Sequence, residues 1–529
     1  MIPPRDRAYG AFSLHAPWLV EPERLAWREG LDALRARSAA EVPELVRRRW
    51  LPPFARIGRT SRVLGGALLA WALRERRRGG EESVRGLSHR LRRAFEALGP
   101  SYIKLGQIVS SGKGVFPDEL VREFDLCRDR VTPESFDHVR EVVESELGRP
   151  LEDVFARFER EAMASASIAQ VHAATLHSGE EVVVKVQRPE VARRVRQDIR
   201  TMAWVAPLLI GRIPVAALAN PPSLVELFAE TILEELDFRL EAENMLDIAQ
   251  VLAGSGQDIV VVPRPHPELV TQRVLVMERL DGFAYENVEG MREAGVDTHE
   301  LIRALYITAL EGVVIFGVFH GDLHGGNMAV QADGRIALFD YGITGRMDEQ
   351  RRHAFLRMLM TGAANDVRAQ LAAYRDLGAL PADADLDAVM RALKLDQPVR
   401  DPTKMTGDEL TAEIREVTRA LLGYGAKLPK PLMLFVKNMI FLDAAVANFA
   451  PDLNLFGEMA RIYGYFAETH GDAIARQIGF DPRRQQLDLA GTKAALGLED
   501  DVESLSHADL QERRATIQQK LRGADSGGR

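Results

Sequence analysis

The spacing of apolar and polar positions changes period several times along this chain, and each change predicts a different element. Up to about residue 94, Leu, Ala and Arg recur at helical spacing, with Pro52-Pro53 breaking two helical stretches. From Gln170 to Val186 the pattern becomes that of strands: Gln-Val-His-Ala-Ala-Thr-Leu, the turn His177-Ser-Gly-Glu180, then Glu-Val-Val-Val-Lys-Val. This predicts a β-hairpin. Helical spacing follows Pro189 through Leu209 and resumes from Pro222 to about Leu252, and strands return at Ile259 to Pro263 and Arg273 to Glu278. Leu301 to Phe319 predicts a strongly apolar helix, and His353 to about Ile478 is nearly all helical in period. A charged helix is expected near Ala508 to Arg522, ahead of a frayed tip. No internal repeat is evident. The expected organisation is a helical extension over 1–94, a small β-containing lobe over 95–280, a mainly α lobe over 281–480 and a helical tail over 481–529. The class is α+β and bilobal.

With 529 residues, 46% apolar and 27% charged, the chain is long enough for two cores and ordinary for a folded protein. A net charge of −9 gives no chain-wide field for nucleic acid, so nucleic-acid binding is not expected. There is one local basic patch, from Arg74 through Arg76, Arg77, Arg78 and Arg85 to Arg90, Arg92 and Arg93. It follows the Trp-containing apolar stretch Val63 to Leu73. That pattern fits a core-facing helix with a solvated end, the commoner case, or peripheral contact with an anionic membrane. Cys127 is the single cysteine, which excludes an internal disulfide framework and points to a reducing, cytoplasmic compartment. Met1 to Arg7 is followed by no apolar core of signal-peptide length. The apolar runs Val63 to Leu73, Met202 to Ile210 and Gly312 to Phe319 all fall short of a span, so no transmembrane helix is expected.

The sharpest segment is His320-Gly-Asp-Leu-His-Gly-Gly-Asn327, followed by Leu338-Phe-Asp-Tyr-Gly342. Phosphoryl transfer needs a carboxylate aimed at the attacking hydroxyl and ligands for metal that neutralises a polyphosphate. Asp322 and Asn327 have the Asp-x-x-x-x-Asn spacing of kinase catalytic loops. Between Ala329 and Leu338 a hairpin is predicted, turning at Ala332-Asp-Gly334 and delivering Asp340 from its second strand. Asp322 therefore reads as the catalytic acid, with Asn327 and Asp340 as metal ligands. An isolated Asp beside Gly is usually a turn residue; the ordered series is what carries the reading. Lys185 lies in a β-branched run suited to burial and needs an anionic partner. Glu234-Glu-Leu-Asp-Phe-Arg-Leu-Glu-Ala-Glu-Asn244 offers several carboxylates on a predicted helix, where Asp237 and Glu241 share one face and Glu235 precedes them. Glu235 and Glu241 both compete for Lys185. The phosphate-covering turn of kinases is glycine-rich, yet Glu161 to Gln170 has no glycine, so Ala164, Ser165, Ala166 and Ser167 would hold nucleotide on a more restricted backbone.

In these motifs the chain resembles the UbiB/ADCK/AarF family of atypical kinases. Gly99-Pro-Ser-Tyr-Ile-Lys-Leu-Gly-Gln107 supplies the family's Lys-x-Gly-Gln, Ala162 to His172 its alanine-rich loop, and Glu235-Leu-Asp237 its Glu-x-Asp. The match runs from about Phe95 to Met347. The resemblance implies a kinase-like fold whose N-terminal extension places Lys104 and Gln107 over the active site, ATP or ADP with Mg²⁺ as ligands, and nucleotide contacts from Lys104, Gln107, the 164–167 loop, Lys185 and Glu278. Physically, a second lysine there would add positive charge against phosphates or pair with Glu235 and Asp237, and the pairing is favoured; the resemblance then implies that Glu241 is the partner of Lys185, with Glu235 its competitor. A role in ubiquinone or other isoprenoid-quinone biology follows, with membrane lipid and quinone-biosynthesis enzymes as partners. Leu323 and Gly325 stand where the family has prolines, so a more flexible loop is expected; Tyr341 replaces Phe, and Cys127-Arg128-Asp129 stands where Leu-Gln-Asp is common. Other classes fit less well: a non-catalytic, nucleotide-responsive lipid-binding module, and a small-molecule kinase of the aminoglycoside or choline type.

Overall fold

The computed structural model describes residues 24–47, 54–78, 80–110, 118–127, 133–209, 221–363, 366–395, 429–484, 487–496 and 501–527, with isolated residues between these runs. Pro52-Pro53, Met1 to Arg7, and Arg128 and Asp129 of the 127–129 departure lie outside the described residues. Two compact units divide the chain. The first takes Met1–Ala253, Val261–Asp281 and Phe339–Ile343; the second takes Gly254–Val260, Gly282–Leu338 and Thr344–Arg529.

The first unit opens with helices α1 (Leu31–Val46), α2 (Phe54–Arg74), α3 (Gly80–Leu98), α4 (Pro100–Ser110) and α5 (Asp118–Asp125). Trp71, Leu87, Ile103, Val109, Leu120, Val121 and Phe124 form their shared core. In α4 the residues around Lys104 and Gln107 are buried, while those two, one turn apart, occupy its less covered side. Gly106 sits so close to α5 that a Cβ there would meet the Phe124 ring at 2.5 Å. Phe124 is itself buried and cannot swing away. Gly106→Ala is therefore expected to cost about 1–3 kcal/mol by overpacking, read as a lower midpoint in equilibrium unfolding; an unchanged midpoint would contradict the close approach.

Next come α6 (Phe136–Leu147), β1 (Phe155–Phe158), β2 (Ala164–Ser165), β3 (Ala169–Leu176), β4 (Glu181–Gln187), α7 (Val191–Leu209), α8 (Pro221–Glu234), α9 (Phe238–Ser255), β5 (Pro265–Val270) and β6 (Val274–Glu278). The antiparallel sheet runs β1-β3-β4-β6-β5, with β2 on β3. The predicted hairpin is β3–β4, in register from Ala169↔Gln187 to Thr175↔Glu181. Strand alternation sends Val182, Val184 and Val186 into a core shared with Val142 and Val143 of α6, so Lys185 points to the opposite face. Arg196 of α7 binds Glu41 of α1 at 2.7 Å, and Arg56 of α2 binds Asp198 of α7 at 2.8 Å.

The second unit contains β7 (Phe283–Ala284), α10 (Val288–Glu293), α11 (Thr298–Glu311), β8 (Val318–His320), β9 (Met328–Val330), β10 (Ile336–Leu338), β11 (Thr344–Arg346), α12 (Glu349–Ala363), α13 (Val367–Asp376), α14 (Leu386–Ala392), α15 (Lys430–Phe449), α16 (Leu455–Ile478), α17 (Leu489–Ala495) and α18 (His507–Gly527). The helix expected over Leu301 to Phe319 lies three residues earlier, over 298–316. It starts at α11, where Asp297 accepts bonds from the His299 and Glu300 N–H groups, and loosens into a π-turn at Gly312–Phe316. Gly317 then takes φ 73°, a left-handed conformation suited to glycine, and starts β8. The second predicted hairpin is present as β9–β10, in register from Met328↔Leu338 to Val330↔Ile336, with Gly334 in its turn at φ 86°. Helix α15 packs on α11, β11 and α18. By length and composition α15 is long and apolar enough to cross a membrane, although half of its apolar window is buried inside the protein. The apolar runs singled out in the sequence did not include it.

Candidate active site

In the first unit, strand β4 presents Lys185 between Val171 of β3 and Leu275 of β6. The lysine is 7% exposed, where an isolated ammonium would be costly. Its Nζ donates to Glu241 Oε1 and Oε2 at 2.7 and 2.9 Å and to Asp340 Oδ1 at 3.2 Å. Burial opposes the ammonium, but the Asp340 and Glu241 carboxylates outweigh it and raise its pKa above the ordinary lysine value. Asp340 sits at φ 57°, a conformation uncommon for a residue with a Cβ, and its Oδ1 also accepts from the Gly342 N–H at 3.2 Å. The adjoining Tyr341 is buried, and its carbonyl accepts from Asn244 Nδ2 at 2.8 Å. Helix α9 thus holds both the Lys185 partner and the Asp340 backbone segment.

The competition for Lys185 is resolved by a break in the predicted Pro222 to Leu252 helix. Helix α8 ends at Glu234 and α9 begins at Phe238, so Asp237 and Glu241 do not share a face of one helix. Asp237 instead stands at the start of α9, accepting from the Arg239 N–H at 3.1 Å and from its guanidinium at 2.9 and 2.7 Å. A short carboxylate placed there satisfies an orphan N–H, which favours starting a new helix. The break leaves Glu235 facing Lys104, at 3.1 Å, and Glu241 facing Lys185. The pairing expected for Lys104 also included Asp237; the ion pair of Asp237 is with Arg239 instead.

The alanine-rich segment is partly strand. Ala164 and Ser165 pair with Val171 and Gln170, the Ala166 N–H donates to the Ala169 carbonyl at 2.8 Å, and Ser167 is buried. Arg188, a residue the motifs did not single out, fixes this segment from below. Its guanidinium donates to Ser165 Oγ at 2.7 Å, to the Ala166 carbonyl at 3.0 Å and to Glu134 at 3.0 Å. Its only sequence signal is an arginine placed directly after the buried strand of Lys185. Glu278 closes β6, with Oε2 accepting from the Arg264 N–H at 3.2 Å.

In the second unit, β8 leads into the loop that carries Asp322 and Asn327, both 7% exposed. Asn327 Nδ2 donates to the Asp322 carbonyl at 3.1 Å, which turns the Asn327 amide oxygen the other way. The Asp322 and Gly326 N–H groups donate to the Nδ1 atoms of His320 and His324. A Cβ on Gly325 would meet the Tyr285 ring at 2.7 Å. The two missing prolines therefore do not leave the loop without constraint: hydrogen bonds and the Tyr285 ring hold it. Two further constraints come from α15. Asn438 Nδ2 donates to the His320 carbonyl at 2.5 Å and its Oδ1 accepts from the Leu323 N–H at 3.3 Å, while Lys437 Nζ forms an ion pair with Asp322 Oδ1. Sequence reasoning missed both residues. The available signal was a charged and an amide side chain adjacent in the apolar run Leu432 to Val446. Among the described residues, no cluster of three or more His, Cys, Asp or Glu could hold a metal ion by itself.

The antiparallel sheet with a buried lysine, the loop bearing an acid and an amide, and the following short hairpin define a kinase-like α+β fold. The model of the ABC1 atypical kinase-like domain matches residues 126–373. An uncharacterized protein of Mycobacterium tuberculosis is 38% identical over 382 residues, 71% of this chain and 77% of its own. The probable protein kinase UbiB of Pseudomonas aeruginosa is 32% identical over 408 residues, covering 74% of this chain and 73% of its own. An uncharacterized chloroplastic aarF domain-containing protein kinase of Arabidopsis thaliana is 31% identical over 391 residues, covering 69% and 72%. Among solved structures, Mycobacterium tuberculosis Rv3197 with erythromycin covers 65% of this chain and 91% of its own, at 22% identity and a TM-score of 0.37. The chain belongs to the UbiB/aarF family of ABC1 atypical kinases.

Proposed function

We propose that this protein is an ATP-dependent phosphotransferase or ATPase, and that it supports isoprenoid-quinone or related lipid metabolism. The observation that carries the reading is the buried Lys185 ammonium held by Glu241 and Asp340, an arrangement suited to gripping nucleotide phosphates. Asp322 accepts the proton of the attacking hydroxyl or water. The Asn327 amide oxygen and the Asp340 carboxylate are hard oxygen donors that fit Mg²⁺, which is commonly bound by one or two protein groups with phosphates and water completing its shell. Bound there, the metal would neutralise polyphosphate charge. Lys104, Gln107, the Arg188-fixed loop Ala164 to Ser167, and Glu278 contribute the nucleotide surroundings. With Lys104 paired to Glu235, the second lysine adds little net positive charge to them. Contact with an anionic membrane or an isoprenoid lipid belongs to the same reading, and the family resemblance supports it.

The test is Mg²⁺-dependent ATP turnover by the purified chain, with and without chelator, anionic liposomes and quinone-precursor analogues. Asp340→Asn is expected to lower turnover by about 100-fold, because a metal ligand and one anchor of Lys185 are both weakened. Equal turnover in wild type and variant would overturn the assignment.

A further inference from the structure

The loop carrying Asp322 is gripped by two adjacent residues of one helix. Asn438 bonds the main chain on either side of the acid, at the His320 carbonyl and the Leu323 N–H, while Lys437 reaches the Asp322 carboxylate itself. Both project from α15, whose other residues are almost all apolar and whose position is fixed elsewhere. Phe355 of α12 stacks edge-on against Phe435, and Asp443 binds His507 at 3.2 Å and Arg514 at 2.5 Å of α18. A lysine in the middle of such a helix is unfavourable unless a specific partner compensates it, and that partner is the one carboxylate on which the transfer step depends. The side chain of Lys437 is 21% exposed against 10% for Asp322, so the pair is mostly buried, with the lysine its more exposed member.

From this geometry we infer that Lys437 is a positioning residue for phosphoryl transfer. It holds the Asp322 carboxylate through one oxygen, and it places a cation beside the transferring group. The inference rests on the phosphotransfer reading above. In the step it serves, the bond between the γ-phosphorus and its bridging oxygen breaks and ADP leaves. A bond from the acceptor oxygen to that phosphorus forms, and the acceptor's proton passes to Asp322. Negative charge spreads over the three equatorial oxygens as this happens, and protein kinases and GTPases meet it with nearby cations. Here Lys185 already has Glu241 and Asp340, whereas Lys437 faces a single carboxylate oxygen and has further N–H donors to offer.

Lys437→Met, Lys437→Gln and Lys437→Arg, each compared with wild type and Asp340→Asn, test this by kcat, KM for ATP, direct ATP affinity and the unfolding midpoint. Lys437→Met is expected to lower kcat by about 100-fold with ATP affinity changed less than about threefold, and Lys437→Arg to recover most of the loss. Lys437→Gln gives the charge-free reading if the methionine variant fails to fold. A kcat at or above the wild-type value in Lys437→Met or Lys437→Gln would overturn the inference, since the ion pair would then be a brake. So would an arginine variant as slow as Lys437→Met with an unchanged midpoint. If wild type shows no Mg²⁺-dependent turnover, the phosphotransfer reading fails and this inference fails with it. If wild type turns over and Asp340→Asn does not, the Lys437 variants decide the inference alone.

Discussion

Asp322→Asn is expected to cut ATP turnover by about 1,000-fold while leaving nucleotide affinity nearly unchanged. Asparagine keeps the size and polarity of the side chain and can still lie beside Lys437, so the loop has no steric reason to move. The Asp322 N–H to His320 Nδ1 bond and the Asn327 bond to the Asp322 carbonyl are main-chain attachments that the substitution does not touch. What is lost is a carboxylate able to accept a proton. Such a change removes stabilisation of the transition state and little of the ground state, so kcat falls and KM for ATP does not rise with it. Paired steady-state kinetics and direct ATP binding would check this. Retained turnover in the variant would show that Asp322 is a structural acid and not the proton acceptor.

Much of this site was legible in sequence because it is built from local segments with strict periods. The hairpin β3–β4 follows from seventeen residues of alternation around a Ser-Gly turn, and that alternation alone puts Lys185 on the face opposite Val182, Val184 and Val186. The hairpin that precedes Asp340 was equally plain, since Asp333-Gly334 supplies the turn and its left-handed glycine. What could not be read is what depends on position between distant segments. Helical period continues smoothly across Glu235 to Asp237, and only the local cap made by Asp237 reveals that the helix restarts. Lys437 and Asn438 lie more than a hundred residues beyond the loop they hold, in a run whose apolar character resembles any buried helix. Arg188 is missed for the same reason, because neither Ser165 nor Glu134 is its neighbour in sequence.

Lys185→Met is expected to be the most destabilising single change at the site, and the order of three variants tests why. Removing the ammonium strands Glu241, which is 4% exposed, and leaves Asp340, whose side chain is 40% exposed, partly served by water. A buried charge deprived of its partner typically costs ~3–5 kcal/mol, so equilibrium unfolding should show a loss of that order for Lys185→Met. Glu241→Leu should cost less, because Lys185 retains Asp340. The double variant Lys185→Met/Glu241→Leu, which replaces the ion pair by apolar side chains, should recover most of the stability and none of the turnover. The folded-state pKa of Lys185 is raised, so its contribution is complete below the unfolded lysine value of about 10.4 and is lost only as pH rises through the still higher folded value. Lys185 itself therefore adds no pH dependence to the difference between wild type and Lys185→Met below about pH 10, whereas Glu241, pushed up by burial and stranded in the variant, should make the loss grow as pH rises. A double variant no more stable than Lys185→Met would mean that packing, and not an uncompensated charge, sets the cost. One that recovered turnover with stability would remove Lys185 from the phosphate-gripping role.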